Sequence, residues 1–167
     1  MIVHENPYFS VNFIDDYYSL SFSSEQVVIL PVINNSILFI KAIRPAFEDS
    51  VIELPSGAVD KGESIRKAAL RELREETGIN INNIDRLIKM PSINTIPSRT
   101  NNFLNIFMIN ISMEEFRNRS KHDSEVSEIL LMSFKEIIDS INQGLFFTAP
   151  FIAICLTYIV NAKQTPK

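Results

Sequence analysis

The chain predicts an α/β protein: a mixed sheet covered by helices on both faces, with an added β-hairpin at the N-terminus. Three observations carry this. Apolar, β-rich runs occur before, between and after helical segments, the order of a layered sheet rather than of a bundle. Within the first 25 residues Phe9–Phe13 and Tyr18–Phe22 alternate apolar and polar with period two, as a half-buried hairpin does. A length of 167 residues fits one domain and buries a sizeable core.

The elements follow in order. Phe9, Val11 and Phe13 alternate, then Tyr18, Leu20 and Phe22, with Asp15-Asp16 as the turn between two strands. Gln26–Ile33 is a β-rich run, Asn34-Asn35-Ser36 a turn, and Ile37–Ile43 a second strand. Pro31 argues that the first of these is bulged or lies partly at an edge. Arg44-Pro45 opens a loop, and Val51–Leu54 is a short strand. Glu63–Thr77 consists almost wholly of good helix formers and ends at Gly78, the residue type favoured just past a helix. Ile84–Met90 reads as a strand, Pro91–Asn102 as an irregular loop, and Phe103–Ile111 as a long strand. Met113–Ser124 is a loop or short helix, and Val126–Met132 a strand. Ser133 caps a helix running to Asn142, with Glu136 completing a capping box and Gly144 ending it. Thr148 caps the last helix, with Pro150 in its first turn.

Composition narrows the function. The net charge is -4 and there is no basic run, so nothing recommends a nucleic-acid partner. The single cysteine, Cys155, excludes an intramolecular disulfide and fits a reducing compartment. No secretory signal is visible at the N-terminus, and the longest apolar stretch, Pro150–Val160, is shorter than the roughly 20 residues that span a bilayer. The expectation is a soluble, cytoplasmic protein without a membrane partner.

The chemistry concentrates between Gly57 and Ile79. Ile65, Ala69 and Leu73 form one apolar stripe against a core. Glu72 and Glu76 are four apart and Glu75 three from Glu72, so their carboxylates project from neighbouring turns. On its own this cluster also fits a solvated helix face. The strand and the loop Leu54-Pro55-Ser56-Gly57 before it favour a site, because Gly57 admits a close backbone approach. Like charges so placed repel one another, and a divalent cation would neutralise them.

Gly57, five residues, Glu63, seven residues, Arg71-Glu72-Leu73, one residue, Glu75-Glu76, one residue, then Gly78-Ile79: this pattern resembles the signature of the Nudix hydrolases. The resemblance implies an α/β/α sandwich over residues 1–167 as a single domain, with 1–25 an N-terminal extension. It implies Mg²⁺-dependent hydrolysis of a nucleoside diphosphate linked to another group, with Mn²⁺ as an alternative cofactor. Glu72 and Glu76 would be direct metal ligands, Glu75 bridging or one step removed, and the Ser56 carbonyl a contributor. Glu63 and Arg71 would pair to hold loop to helix. A glutamate from a later, mobile loop would activate water; Glu125 is the candidate and Glu128 the alternative, though either also fits a solvated loop carboxylate. His122 and His4 read as surface residues.

Other stretches resemble the ADP-ribose pyrophosphatase and nucleotide-sugar diphosphatase branch: His4-Glu5-Asn6-Pro7-Tyr8-Phe9, Arg44-Pro45, Glu53-Leu54-Pro55-Ser56-Gly57 and Pro97-Ser98-Arg99-Thr100-Asn101. Ile43 stands where that branch has tyrosine, Ser98 where it has glycine, and Pro97 two residues late. Arg44 and Arg99, with Ser56 and Gly57, are the candidate substrate-binding residues, since guanidinium binds phosphate and stacks on bases. Tyr8, Tyr17 or Tyr18 could stack on an adenine, across a homodimer as in that branch, or simply fill a hairpin core. ADP-ribose or a nucleotide sugar is the expected substrate. The alternatives are another diphosphate (a dinucleotide, a coenzyme or a modified nucleoside triphosphate) or a regulatory module that binds a nucleotide without turnover.

Overall fold

A computed structural model describes residues 1–47 and 49–164. Its main sheet has eight strands: β4 (Gln26–Ile33), β5 (Ser36–Arg44), β6 (Asp49–Glu53), β7 (Ser56–Ala58), β8 (Ile88–Lys89), β9 (Ile93–Asn94), β10 (Phe103–Asn110) and β11 (Val126–Ser133). The backbone of the sheet runs β11-β5-β4-β10-β8. β10 lies parallel to β4, with Leu104 beside Gln26 through Asn110 beside Val32. The other pairings are antiparallel, so the sheet is mixed as expected.

The feature that positions the site is a split hairpin. β4 and β5 pair only next to their turn, Val32 with Ile37 and Ile33 with Ser36, and then diverge. Segment 49–58 enters the gap. β6 pairs with β5 from Glu53–Ile40 to Asp49–Arg44, and β7 pairs with β4 from Ser56–Val28 to Ala58–Gln26. At the apex Leu54 is fully buried, and the Pro55 carbonyl accepts from Ile29 N at 2.8 Å. The strand character of Ser56–Ala58 has no periodic signal in three residues, which is why the sequence reads it as loop.

Pro31 lies in the middle of the sheet, not at an edge: it is in register with Ile109 of β10. The missing N–H is tolerated because it falls where β4 has left β7 and not yet met β5, so that flank has no ladder to break.

Strand alternation divides the core into two layers. Val27 and Ile29 pack with Ala68, Ala69 and Leu73 of α1 (Ile65–Thr77). Val28, Leu30 and Val32 face the other way, against Ile137 of α3 (Phe134–Asn142) and Phe151, Ile154, Cys155 and Ile159 of α4 (Ala149–Gln164). The result is the expected α/β/α layering. Burial pushes the Cys155 thiol up to about 12, so it stays protonated and unreactive.

Local chemistry sets the helix ends. Ser64, in extended backbone, accepts from Lys67 N and begins α1 at Ile65, so Glu63 precedes the helix rather than starting it. Gly78 closes α1 at φ 72°, its N–H on Arg74 O. Ser133 and Glu136 form the anticipated capping box of α3. A second box, Ser112 with Glu115, starts the short α2 (Met113–Arg117). Thr148 precedes α4: its carbonyl accepts from Ile152 N at 3.0 Å, and its hydroxyl donates to Ile52 O of β6 at 3.4 Å.

The expected strand Ile84–Met90 is largely something else. Ile84–Arg86 is a 3₁₀ turn and only Ile88–Lys89 pairs in the sheet. Arg66 of α1 explains this, since its Nη2 donates to both Ile84 O (2.9 Å) and Leu87 O (2.8 Å) and holds the segment on the helix.

The N-terminal extension is a separate three-stranded sheet, β1 (Ile2–Glu5), β2 (Phe9–Ile14) and β3 (Tyr17–Phe22). The expected hairpin is β2–β3, with Asp15 and Asp16 both at positive φ, as its two-residue turn requires. β1 is a strand that the sequence pattern does not predict: with Ile2 and Val3 adjacent and exposed, it has no clean alternation to read. No residue before Val27 is buried. Among the described residues no helix is long and apolar enough to cross a membrane.

Candidate active site

Seven of the residues singled out from the sequence come together where the apex of the split hairpin meets α1. Arg71 is the hub. Its Nη2 donates to Glu63 Oε2 at 2.9 Å and to Ala58 O at 2.8 Å. Its Nη1 donates to Glu72 Oε1 at 2.7 Å and to Glu75 Oε2 at 3.0 Å. One guanidinium thus joins the Glu63 turn, β7 and two turns of α1, which a planar fork of donors can do and an ammonium cannot. The Arg71 hydrogen bond holds the Glu63 carboxyl below the ordinary range.

The backbone of Ser56-Gly57 forms the floor. Ser56 N donates to Glu76 Oε2 at 2.8 Å. A Cβ on Gly57 would stand 2.2 Å from the Glu72 carboxylate, so only glycine lets that carboxylate rest against the strand. Burial raises the Glu72 carboxyl above its usual value despite the Arg71 contacts. Burial pushes Glu76 further, to about 8, with the neighbouring Glu72 and Glu53 charges adding to the effect. Among the described residues no three His, Cys, Asp or Glu side chains converge as a preformed ion cage. Arg71 Nη1 stands between Glu72 and Glu75 instead.

That displacement makes stability pH-dependent. A carboxyl whose folded value lies above 4.5 holds its proton more tightly in the native state than in the unfolded chain. Glu76 therefore stabilises the fold fully in mild acid, and this contribution declines as pH rises through the window from about 4.5 to about 8. The carboxyls held low, Glu63 and Glu115 (about 2), act in acid below that window. The metal-free protein is expected to lose on the order of a few kcal/mol between pH 5 and 8. Thermal melts in chelator at stepped pH test this, and a midpoint that rises over the window would contradict it.

Two further candidates border this cluster. Arg44, at the end of β5, is not a free cation: Nε and Nη2 grip Glu53 Oε1 and Oε2 at 3.0 and 2.7 Å. Glu53 is only 8% exposed, and in the sequence it stands out only as part of the Glu-Leu-Pro stretch. Its partner is nine residues away across the β5–β6 hairpin, a contact that no local spacing announces. The Arg44 guanidinium also feels the charges of Glu76 and Glu125. Glu125 itself is exposed, and its carbonyl accepts from Ile43 N at 2.9 Å. Glu128 is committed elsewhere, to Lys41 Nζ at 2.6 Å. His122 bonds within its own loop, to Asp123 O.

Arg99 lies with the N-terminal sheet, not with the carboxylates. Its guanidinium covers the Tyr17 ring at 4.6 Å and donates to Tyr18 O, and its carbonyl accepts from Leu20 N at 2.7 Å. The Tyr17 hydroxyl donates to Ser98 O. Arg99 and Tyr17 line a cleft of about 630 Å³ between that sheet and loop 94–103. A second cleft, about 380 Å³, is lined by Pro7, Tyr8, Phe9, Phe22, Ala58 and Leu104. It reaches Ala58, whose carbonyl holds Arg71.

Known proteins resemble this chain in sequence and in fold. The NUDIX domain model matches residues 24–153, and the chain belongs to that family. An ADP-ribose pyrophosphatase of Saccharomyces cerevisiae is 40% identical over 79 residues, 47% of this chain and 33% of the yeast protein. An ADP-ribose pyrophosphatase of Bacillus subtilis is 30% identical over 107 residues, 62% of this chain and 56% of that protein. The chain thus spans between a third and just over half the length of these two relatives. A solved structure of an ADP compounds hydrolase superposes with a TM-score of 0.73 at 18% identity, covering 98% of this chain and 92% of that one. At that identity the match speaks for the fold.

Proposed function

We propose that this protein hydrolyses the diphosphate bond of a nucleoside diphosphate linked to another group, with Mg²⁺ or Mn²⁺. ADP-ribose or a nucleotide sugar fits best, and a nucleoside monophosphate and a sugar phosphate are the products. The observation that carries this reading is the half-buried carboxylate pair, Glu72 and Glu76, set on the Ser56-Gly57 backbone beside Glu75 and Arg71. Raised carboxyls in this setting want a positive neighbour, and the donor set is the oxygen-rich one that Mg²⁺ prefers. Glu72, Glu76 and Glu75 would hold the cation, with the Ser56 carbonyl contributing. A bound divalent cation supplies the charge that offsets the anionic diphosphate. Arg71 and Glu63 keep loop and helix in register, and Glu125 takes the proton of the attacking water. The aromatic cleft of Tyr8, Phe9 and Phe22 beside Ala58 offers a stacking wall for a base within reach of the acid cluster.

The two relatives called ADP-ribose pyrophosphatase support this substrate class. The test is a panel assay with Mg²⁺ on ADP-ribose, ADP-glucose, GDP-mannose, NADH and diadenosine polyphosphates, read as phosphate after phosphatase coupling. ADP-ribose or a nucleotide sugar should turn over fastest, and no turnover of any would leave a nucleotide-binding module.

Two predictions follow from the site's floor and its outer sheet. Gly57→Ala should displace the Glu72 carboxylate and weaken Mn²⁺ binding by roughly 10-fold or more in calorimetric titration. An unchanged affinity would remove Glu72 from the ligand set. The N-terminal sheet leaves Met1, Ile2, Tyr8, Ile14 and Tyr18 largely exposed, and three strands this bare need cover. We propose that a second copy supplies it. Sedimentation should give a dimer, and a monomer at micromolar concentration would end the idea.

A further inference from the structure

The segment that carries Glu125 is fastened to α1, and the fastening is built around Gly78. We propose that Ser120 is a positioning residue: it docks loop 118–125 on the C-terminal end of α1, so that Glu125 and the α1 carboxylates are placed as one unit. This rests on the reading of Glu125 as the base.

The last carbonyls of a helix lack intrahelical donors and need partners from elsewhere. Here the loop provides them. Ser120 N and Ser120 Oγ both donate to Gly78 O, at 2.9 and 3.1 Å. Three residues on, Asp123 N donates to Glu75 O at 2.9 Å, a carbonyl of the helix's last turn. The far end is held as well, by Val126 N on Asp123 O (3.3 Å) and Ile43 N on Glu125 O (2.9 Å). Glu125 therefore sits between a tether on α1 and a tether on β5.

The docking leaves no room for a side chain at residue 78. A Cβ there would stand 2.0 Å from Ser120 O and 2.7 Å from its carbonyl carbon. Gly78 thus meets two separate demands. Its φ of 72° is one that asparagine also adopts; the close approach of Ser120 is one that only glycine permits. Gly78→Asn separates them, keeping the helix end and forcing the loop away.

The experiment compares Gly78→Asn, Ser120→Ala and each combined with Glu125→Gln, using whichever substrate the panel assay identifies. Gly78→Asn should lower kcat about tenfold or more with KM and Mn²⁺ affinity little changed. Adding Glu125→Gln should then cost far less than Glu125→Gln costs alone, because the base is already misplaced. Ser120→Ala, which keeps the glycine, should give a smaller loss with the same failure to multiply. Its Asp123 amide should exchange with deuterium several-fold faster. Effects that multiply fully would overturn the proposal. If Glu125→Gln alone leaves the rate unchanged, the reading of the base fails. The tether is then judged by exchange alone, and an unaltered Asp123 amide in Ser120→Ala would overturn it too.

Discussion

Glu76→Gln should cut turnover by more than the roughly 100-fold that the outer partners of a metal site typically cost. The amide keeps the shape and the acceptor for Ser56 N but loses the charge that would hold the cation. The same substitution should make the metal-free protein more stable at pH 8 and flatten its stability profile between pH 5 and 8. The reason is that a largely desolvated carboxylate is costly to ionise, and its amide carries no charge. These two effects have opposite signs, which separates the site from simple damage to the fold. Near-normal activity would refute the metal reading, and a fall in melting temperature at pH 8 would refute the account of burial.

Glu125→Gln should slow the chemical step by about 10²- to 10⁴-fold, the range a positioned general base contributes. Binding should change little, because Glu125 is exposed and its carboxylate makes no hydrogen bond or ion pair among the described residues. Single-turnover kinetics would read both effects at once. If the rate constant at saturation is unchanged, the water is activated by another group, and Glu128, already ion-paired with Lys41, is a poor replacement.

How much of this was legible in the sequence depends on the range of the interaction. Short-range chemistry could be read well. The apolar stripe Ile65-Ala69-Leu73 does face the core, and Ser133 with Glu136 does start a helix ending at Asn142. The carboxylate cluster was legible because helix geometry alone puts residues three and four apart side by side. Long-range chemistry could not be read. Nothing near Arg44 says that its guanidinium is taken by Glu53, and nothing near Arg99 says that it stacks on a tyrosine more than eighty positions earlier. Ile84–Leu87 has strand composition, but a distant arginine holds its carbonyls. Met113–Ser124 reads only as a loop or short helix, and its docking is visible only with the end of α1 beside it.

The wedge of segment 49–58 between β4 and β5 has a dynamic consequence. A ligand-binding loop on a protein surface can fray while the domain stays folded. The Leu54–Gly57 turn has strands on both flanks, so it can loosen only by unzipping the middle of the sheet. Its amides should exchange as slowly as the centre of the domain, through global unfolding rather than local opening. The floor of the site is then as durable as the fold, and adaptation to new substrates is left to the outer loops and the N-terminal sheet.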